Sequence, residues 1–317
     1  MAPRILLVRF SSLGDVVLAS PVVRAIRARY PEAHITFVTK AVWAPVVERM
    51  PEVGRLVALT EGESVASLAK RIGADFDYRV DLHASLRSRL LRWRVRGAWC
   101  VVRGEKIGRR WRALRHQAHP ALPHVVERYL LALREAGLDV VNDGQAGRIE
   151  PTPEDRAQAA HLVQGEYTVV CPGAAHANKR WPVEHWQALT RELAGTIVAT
   201  GTAAERELLP ASAIDAFGLP LGPTTALLAG ARCVIANDSG LMHLAAAVGT
   251  PVVALFGSTS PALGYAPYRA VHRVLERDLP CRPCSTHGGP RCPIGTHACL
   301  RDLLPATVAD AARELIA

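Results

Sequence analysis

Short apolar runs of strand length recur along this chain, and they restrict its fold more than any other feature. RILLVRF (4–10), HITFVT (34–39), RLVAL (55–59) and YRVDLH (78–83) are spaced by segments with helical character. Those segments are residues 15–30, with Ser20-Pro21 as an internal restart, the region around APVVERM (44–50), and residues 64–73. Strands separated by helices imply parallel pairing and an α/β sandwich. The stretch NDGQAGRIEPTPED (142–155) is polar and rich in Gly and Pro, and is the best candidate linker. The alternation then restarts: YTVVCPG, WPVEHWQALTREL, TIVATG, TTALLAGA, CVIAND, SGLMHLAAAVG and PVVALFGS follow in order. The chain therefore reads as two doubly wound, Rossmann-like halves, residues 1–150 and 151–304, with a terminal helix over 305–317 opening at Pro305. Open parallel sheets bind ligands at the carboxyl ends of their strands. Two such sheets facing a central cleft are expected to serve two substrates, one per half.

A length of 317 residues suits two domains of about 150 each. With 49% hydrophobic and 21% charged residues, the chain has enough apolar surface for a full core, and disorder is not expected. No run of about 18 apolar residues occurs, so no spanning helix is expected. MAPRILLVRF lacks the long apolar region and cleavage site of a signal peptide, which points to the cytoplasm.

Three strand-end loops in the second half carry chemistry. In PGAAHANKRWP (172–182), small residues let backbone N–H groups approach an anion, and Lys179 adds a mobile positive charge. Read alone, Lys179 is equally an ordinary surface lysine. In ATGTAAERE (199–207), Glu205 is placed to accept hydrogen bonds from ribose hydroxyls, or else to serve as a first-turn acid on a helix. In ANDSGLMHLAAAVGTP (236–251), Asp238, Ser239 and Gly240 lie where a strand becomes a helix. The unpaired N–H groups of such a turn suit a phosphate, with His243 one turn on facing the same way. Asp238, itself an anion, reads as a helix cap or a ligand for sugar hydroxyls. Neither half opens with G-x-G-x-x-G, which argues against NAD or FAD.

FSSLGDVVLASPVVRAIRARYP, DLHASLRSRL, PGAAHANKRWP and NDSGLMHLAAAVGTPVVALFG, in this order, resemble the ADP-heptose:lipopolysaccharide heptosyltransferases, glycosyltransferase family 9. The resemblance implies a GT-B fold, an acceptor in the first half, a nucleotide-sugar donor in the second, and inversion at the anomeric carbon without a required metal or cofactor. It implies that Asp15, in the S-x-G-D turn Ser12–Asp15, is the general base; a helix cap is the competing reading. The leaving nucleoside diphosphate needs charge stabilisation rather than a proton, which falls to Lys179 and the helix start at 239–243. The resemblance places Lys179, Glu205, Leu219 (through backbone near the base), Asp238, Ser239, Gly240 and His243 on the donor. A physical tension attends Asp15: a helix start lowers its pKa and weakens it as a base, whereas desolvation does the opposite.

Residues 84–119 hold eleven Arg or Lys against one acid, Glu105, a local excess larger than the whole-chain net charge of +9. An acidic partner is expected there, against the plainer reading of a solvated Arg-rich face. The family's acceptor, the Kdo-containing lipopolysaccharide inner core, carries the carboxylates and phosphates that arginine forks bind. Ser12, Gly14, Arg87 and Arg89 are the expected acceptor contacts. Trp93, Trp99 and Trp111 either meet a lipid interface or pack inside, and the protein is expected to sit peripherally on the anionic inner membrane. No nucleic-acid motif accompanies the basic stretch, so no nucleic-acid partner is expected.

Of seven cysteines, Cys100, Cys171 and Cys233 read as core residues, and Cys281, Cys284, Cys292 and Cys299 cluster near the C-terminus. The cluster reads as a structural zinc or iron–sulfur site, as free thiols, or as disulfides, the last disfavoured in a cytoplasmic setting. The heptosyltransferases resembling the second-heptose enzymes carry a similar segment. Two rivals stand beside this reading: a related glycosyltransferase with another donor or acceptor, and a non-catalytic nucleotide-sugar or anionic-glycan binding protein.

Overall fold

The computed structural model describes residues 2–103, 111, 115–116 and 121–317. The chain forms two compact units, Met1–Gly104 with Val125–Glu150, and Glu105–His124 with Pro151–Ala317. The described part of the 105–124 segment is tied into the second unit: Leu122 N–H donates to the Ala262 carbonyl (2.8 Å), and the His124 ring stacks at 4.7 Å on Tyr268.

The first unit contains β1 (Arg4–Val8), α1 (Leu13–Val17), α2 (Ser20–Arg29), β2 (His34–Lys40), α3 (Ala44–Val47), β3 (Arg55–Leu59), α4 (Val65–Ile72), β4 (Tyr78–Asp81), α5 (Leu86–Arg94), β5 (Cys100–Val101) and α6 (Val125–Glu135). Its five strands pair in the order β3-β2-β1-β4-β5, all parallel. Ile5, Leu6, Leu7 and Val8 are fully buried, as expected for a strand covered on both faces. Leu6, Val8 and Phe10 build one apolar cluster with Val38, Val57, Leu68, Leu91 and Val95, which seats α4 and α5 on the sheet. Ser64 and Ser85 start those helices, their hydroxyls accepting from the N–H groups of Ser67 (3.1 Å) and Ser88 (3.2 Å).

The second unit contains α7 (Pro153–Leu162), β6 (Tyr167–Cys171), α8 (Val183–Glu192), β7 (Thr196–Gly201), β8 (Ile214–Phe217), α9 (Leu221–Ala229), β9 (Cys233–Asn237), α10 (Gly240–Ala247), β10 (Val252–Phe256), β11 (His272–Glu276), α11 (Ala298–Arg301) and α12 (Pro305–Ile316). Its six parallel strands run in the order β11-β10-β9-β6-β7-β8. Trp181, Trp186 and Leu189 pack with Leu300, Val308 and Ala312 over one face of this sheet.

Both sheets reverse their strand order beside their first strand, between β1 and β4 and between β6 and β9. Such switch points part the loops at the carboxyl ends of the two strands and leave a crevice. The loops of interest lie there: Arg9–Asp15 and Leu82–Ser85 in the first unit, Pro172–Trp181 and Asp238–Gly240 in the second. Among the described residues no helix is long and apolar enough to cross a membrane.

One expected core residue differs. Cys171 and Cys233 are buried, but Cys100 is only half-buried, because β5 is a two-residue strand at the sheet edge.

Candidate functional site

In the first unit the chain leaves β1 at Val8, and α1 begins only five residues later. Asp15 therefore lands at the carboxyl end of the central strand. Its side chain is 13% exposed, and Oδ2 accepts from Ser12 N–H (3.2 Å) and Ser12 Oγ (2.9 Å) and pairs with Arg9 Nη2 (2.5 Å). Oδ1 is buried and has no hydrogen-bond partner among the described residues. Burial pushes the carboxyl pKa up, but the Arg9 charge and the two Ser12 donors outweigh it and leave it below the usual carboxylate value. The tension seen in the sequence thus resolves through a residue it did not single out. Arg9, rather than the dipole of a five-residue helix, supplies the charge that holds Asp15 ionised. Arg9 is itself fixed, its Nη1 donating to the Leu82 carbonyl (2.7 Å) at the end of β4. The signal available was a lone cation directly after four buried apolar residues.

Asp15 is also the residue that bonds the N-terminus of its short helix, so the capping geometry is real; the second oxygen is what a cap alone leaves unused. Ser12 is exposed and Gly14 buried in the same turn. Arg87 and Arg89 stand exposed on α5 and, among the described residues, make no hydrogen bond or ion pair with this turn. Trp99 packs against the apolar cluster, whereas Trp93 and Trp111 are 74% and 54% exposed. The rest of the second basic stretch, residues 104–110, 112–114 and 117–120, lies outside the described residues.

In the second unit the β6 and β9 loops meet. Lys179 Nζ lies 2.6 Å from Asp238 Oδ2, with the two side chains 13% and 8% exposed. The same oxygen accepts from Thr259 Oγ1 (2.6 Å) at the end of β10. Burial raises the Asp238 pKa, but Lys179, Thr259 and the nearby His243 outweigh it and the net shift is downward. Two sequence expectations are corrected here. Lys179 is neither mobile nor a surface lysine, because a buried carboxylate holds it. Asp238 does not cap α10; Ser239 is the N-cap, and the Asp238 carboxylate turns to Lys179 and Thr259. Ser239 Oγ and Ser258 Oγ are buried without a hydrogen-bond partner among the described residues. His243 is buried one turn into α10, its ring 6.5 Å from that of Tyr265.

Asn237 locks this junction, accepting from Trp181 N–H (3.1 Å) and donating to the Pro172 carbonyl (2.8 Å). Arg282, from the Cys-rich segment, is buried and donates to the carbonyls of Gly257 (2.5 Å) and Thr259 (2.8 Å), fixing the loop that carries Thr259. Glu205 sits against Gly173, where an added Cβ would lie 2.4 Å from its carboxylate, so the close approach requires glycine. Its Oε2 accepts from Thr202 N–H (3.0 Å) and Oγ1 (2.8 Å), the first-turn role the sequence offered, and its Oε1 lies 3.7 Å from Arg180 Nη2. The Leu219 carbonyl is already bonded by Thr224 Oγ1 (3.0 Å).

All seven cysteines are free thiols. Among the described residues no group of three or more His, Cys, Asp or Glu is placed to hold a metal ion. Cys284 Sγ is turned to the Ser258 carbonyl (3.7 Å), Cys299 is buried in the apolar cluster, and Cys292 accepts from His297 N–H (3.4 Å). Burial pushes the thiols of Cys299 and Cys233 up to about 11 and about 12, and that of Cys171 higher still. At Cys292 burial raises the pKa, but the backbone N–H groups of 294–297 outweigh it. Iodoacetamide labelling of the native protein at neutral pH, followed by mass spectrometry, should therefore mark Cys292 first and leave Cys171 and Cys233 unlabelled. Labelling of Cys171 ahead of Cys292 would contradict this.

Residues 65–291 match the model of glycosyltransferase family 9 (heptosyltransferase). The lipopolysaccharide heptosyltransferase 1 of Pseudomonas aeruginosa is 31% identical, over 89% of this chain and 86% of the relative. The lipopolysaccharide heptosyltransferase 2 of Salmonella typhimurium is 28% identical, over 81% and 84%. The solved ADP-heptose heptosyltransferase II of Escherichia coli superposes with a TM-score of 0.78 at 26% identity, covering 99% of this chain and 98% of that one. The two parallel sheets with their helices are thus of the GT-B class.

Proposed function

The chain belongs to glycosyltransferase family 9, and from that premise we propose that it transfers L-glycero-D-manno-heptose from ADP-heptose to the Kdo-containing inner core of lipopolysaccharide, with inversion. Relatives of both heptosyltransferase types match, and the superposition on heptosyltransferase II supports the second-heptose step. In this reading residues 1–150 bind acceptor and residues 151–304 bind donor.

Asp15 is the general base. The observation that carries this is the placing of the carboxylate at the carboxyl end of β1: Ser12 and Arg9 hold it ionised through Oδ2, and Oδ1 has no hydrogen-bond partner among the described residues. The acceptor hydroxyl gives its proton to this carboxylate as its oxygen bonds to the anomeric carbon, and the bond from that carbon to the diphosphate breaks on the opposite side. The departing ADP needs positive charge and N–H donors, not an acid. Lys179, the first-turn N–H groups of α10 at Ser239 and Gly240, and His243 supply them. Glu205 takes the ribose, and backbone near Leu219 takes the base. Ser12, Gly14, Arg87 and Arg89 bind the anionic acceptor. In this reading the transfer requires no metal or cofactor. The acceptor is a glycolipid, so the protein works peripherally on the cytoplasmic face of the inner membrane.

The test is ADP release measured with ADP-heptose and with other nucleotide sugars, against acceptors bearing no heptose and one heptose. Release is expected with ADP-heptose and the one-heptose acceptor. Release with another sugar alone would move the protein to a different donor. Tight ADP-heptose binding with no acceptor-dependent release would make it a binding protein.

A further inference from the structure

Helix α5 is anchored on one face and open on the other. Ser88, Leu91 and the following Val95 are buried, and Leu91 and Val95 belong to the apolar cluster of the first unit. Arg92 adds an ion pair to Asp81, whose Oδ1 also accepts from the N–H groups of His83 (2.9 Å) and Ala84 (3.0 Å). The outer face carries Leu86, Leu90 and Trp93, which are 67%, 42% and 74% exposed. At about 100° per residue these three fall within roughly 60° of one another, opposite the buried side chains. Arg87 and Arg94 flank this stripe on one side and Arg89 on the other, all exposed, with Arg96 just beyond the helix. The Arg89 guanidinium lies 6.0 Å from the centroid of the Trp93 ring. No acid occurs between Asp81 and Glu105.

We propose that this face of α5 docks the first unit on an anionic phospholipid bilayer. Arg94, with Arg96 just beyond the helix, meets headgroup phosphates, while Leu86, Leu90 and Trp93 enter the boundary between headgroups and acyl chains, where an indole is well accommodated. The charge complementarity alone would also suit a nucleic acid. Two exposed leucines in line with the tryptophan have no role against a nucleic acid, whose bases stack on aromatic rings. The helix carries the docking chemistry by itself; that a bilayer is the surface at hand rests on the glycolipid acceptor proposed above.

The full chain is to be floated with vesicles of phosphatidylcholine, with and without phosphatidylglycerol. Partition into the phosphatidylglycerol vesicles is expected, weakening as salt is raised. Arg94→Gln should lower it about fivefold, the size of one basic residue at an anionic surface. Trp93→Ala should lower it at least as much, while ADP release on a soluble acceptor fragment stays unchanged. All three side chains of the stripe are exposed, so folding is not at risk, and Trp93→Phe should restore most of the binding. Equal partition into both vesicles, or no loss in Leu86→Ser/Trp93→Ser, would overturn the proposal. So would retention on RNA at matched salt without vesicle binding. Vesicle binding without ADP release would remove the proposed reaction and leave the docking face standing; release without vesicle binding would do the reverse.

Discussion

Asp15→Asn is expected to lower turnover by about a hundredfold to ten-thousandfold, the usual range for a positioned base, with affinity for ADP-heptose unchanged. Single-turnover ADP release and calorimetric donor titration check the two halves of this statement. An enzyme with near-normal turnover after the substitution would end the assignment. The reason for expecting so large a loss is that the site holds the carboxylate ionised against its own burial. Its pKa is lowered by Arg9 and by two donors from Ser12, so the base is ready at neutral pH without a separate deprotonation step. Readiness has a cost in strength, since a base with a depressed pKa accepts a proton less avidly.

That trade makes Arg9 a positioning residue with a distinctive signature. In Arg9→Met the burial of Asp15 remains and the largest lowering influence is gone, so the pKa rises. The acid limb of kcat/KM should then move to higher pH, with the plateau changed far less than in Asp15→Asn. A merely structural arginine would lower the plateau and leave the limb in place.

The parts of this site that spacing along the chain can reveal are those set by one loop. S-x-G-D announces Asp15 because strand, turn and carboxylate are contiguous, and the α/β alternation is legible because strands buried on both faces must be apolar almost throughout. What stayed hidden depends on sheet order. Lys179 and Asp238 lie on loops fifty-nine positions apart and meet only because β6 and β9 are neighbours. Thr259 joins them because β10 lies next to β9, and no spacing rule marks a threonine in GSTS. Arg282 was masked by the cysteines around it, although its guanidinium ties down the Thr259 loop. Asp238 misled for a local reason. An Asp before a helix start reads as a cap unless a buried cation from elsewhere claims it.

Lys179→Met is expected to carry the second large effect, a fall in turnover of about a hundredfold to a thousandfold for the loss of one charged donor to the leaving diphosphate. It should also destabilise the fold, because the nearly buried Asp238 loses its cation; breaking such a pair from one side costs about 3–5 kcal/mol. The two effects separate in Lys179→Met/Asp238→Asn, which removes the orphaned charge yet leaves an acceptor for Thr259 Oγ1. Urea unfolding of the double variant should return close to the parent midpoint while turnover stays low. Recovery of both would mean that the lysine serves the fold and not the leaving group. Acid unfolding gives an independent reading of the same pair. In the parent, Asp238 has a folded pKa below its unfolded value of about 3.9, so its stabilisation is complete above that value and lost as pH falls through the folded one. Without Lys179 the burial of Asp238 is opposed only by Thr259 and His243, so the folded pKa rises, and the stability lost in Lys179→Met should be largest above that pKa and shrink as pH falls through it, because protonation removes the orphaned charge. In the double variant this group no longer titrates, so that pH-dependent loss of stability should be absent while the loss of turnover persists.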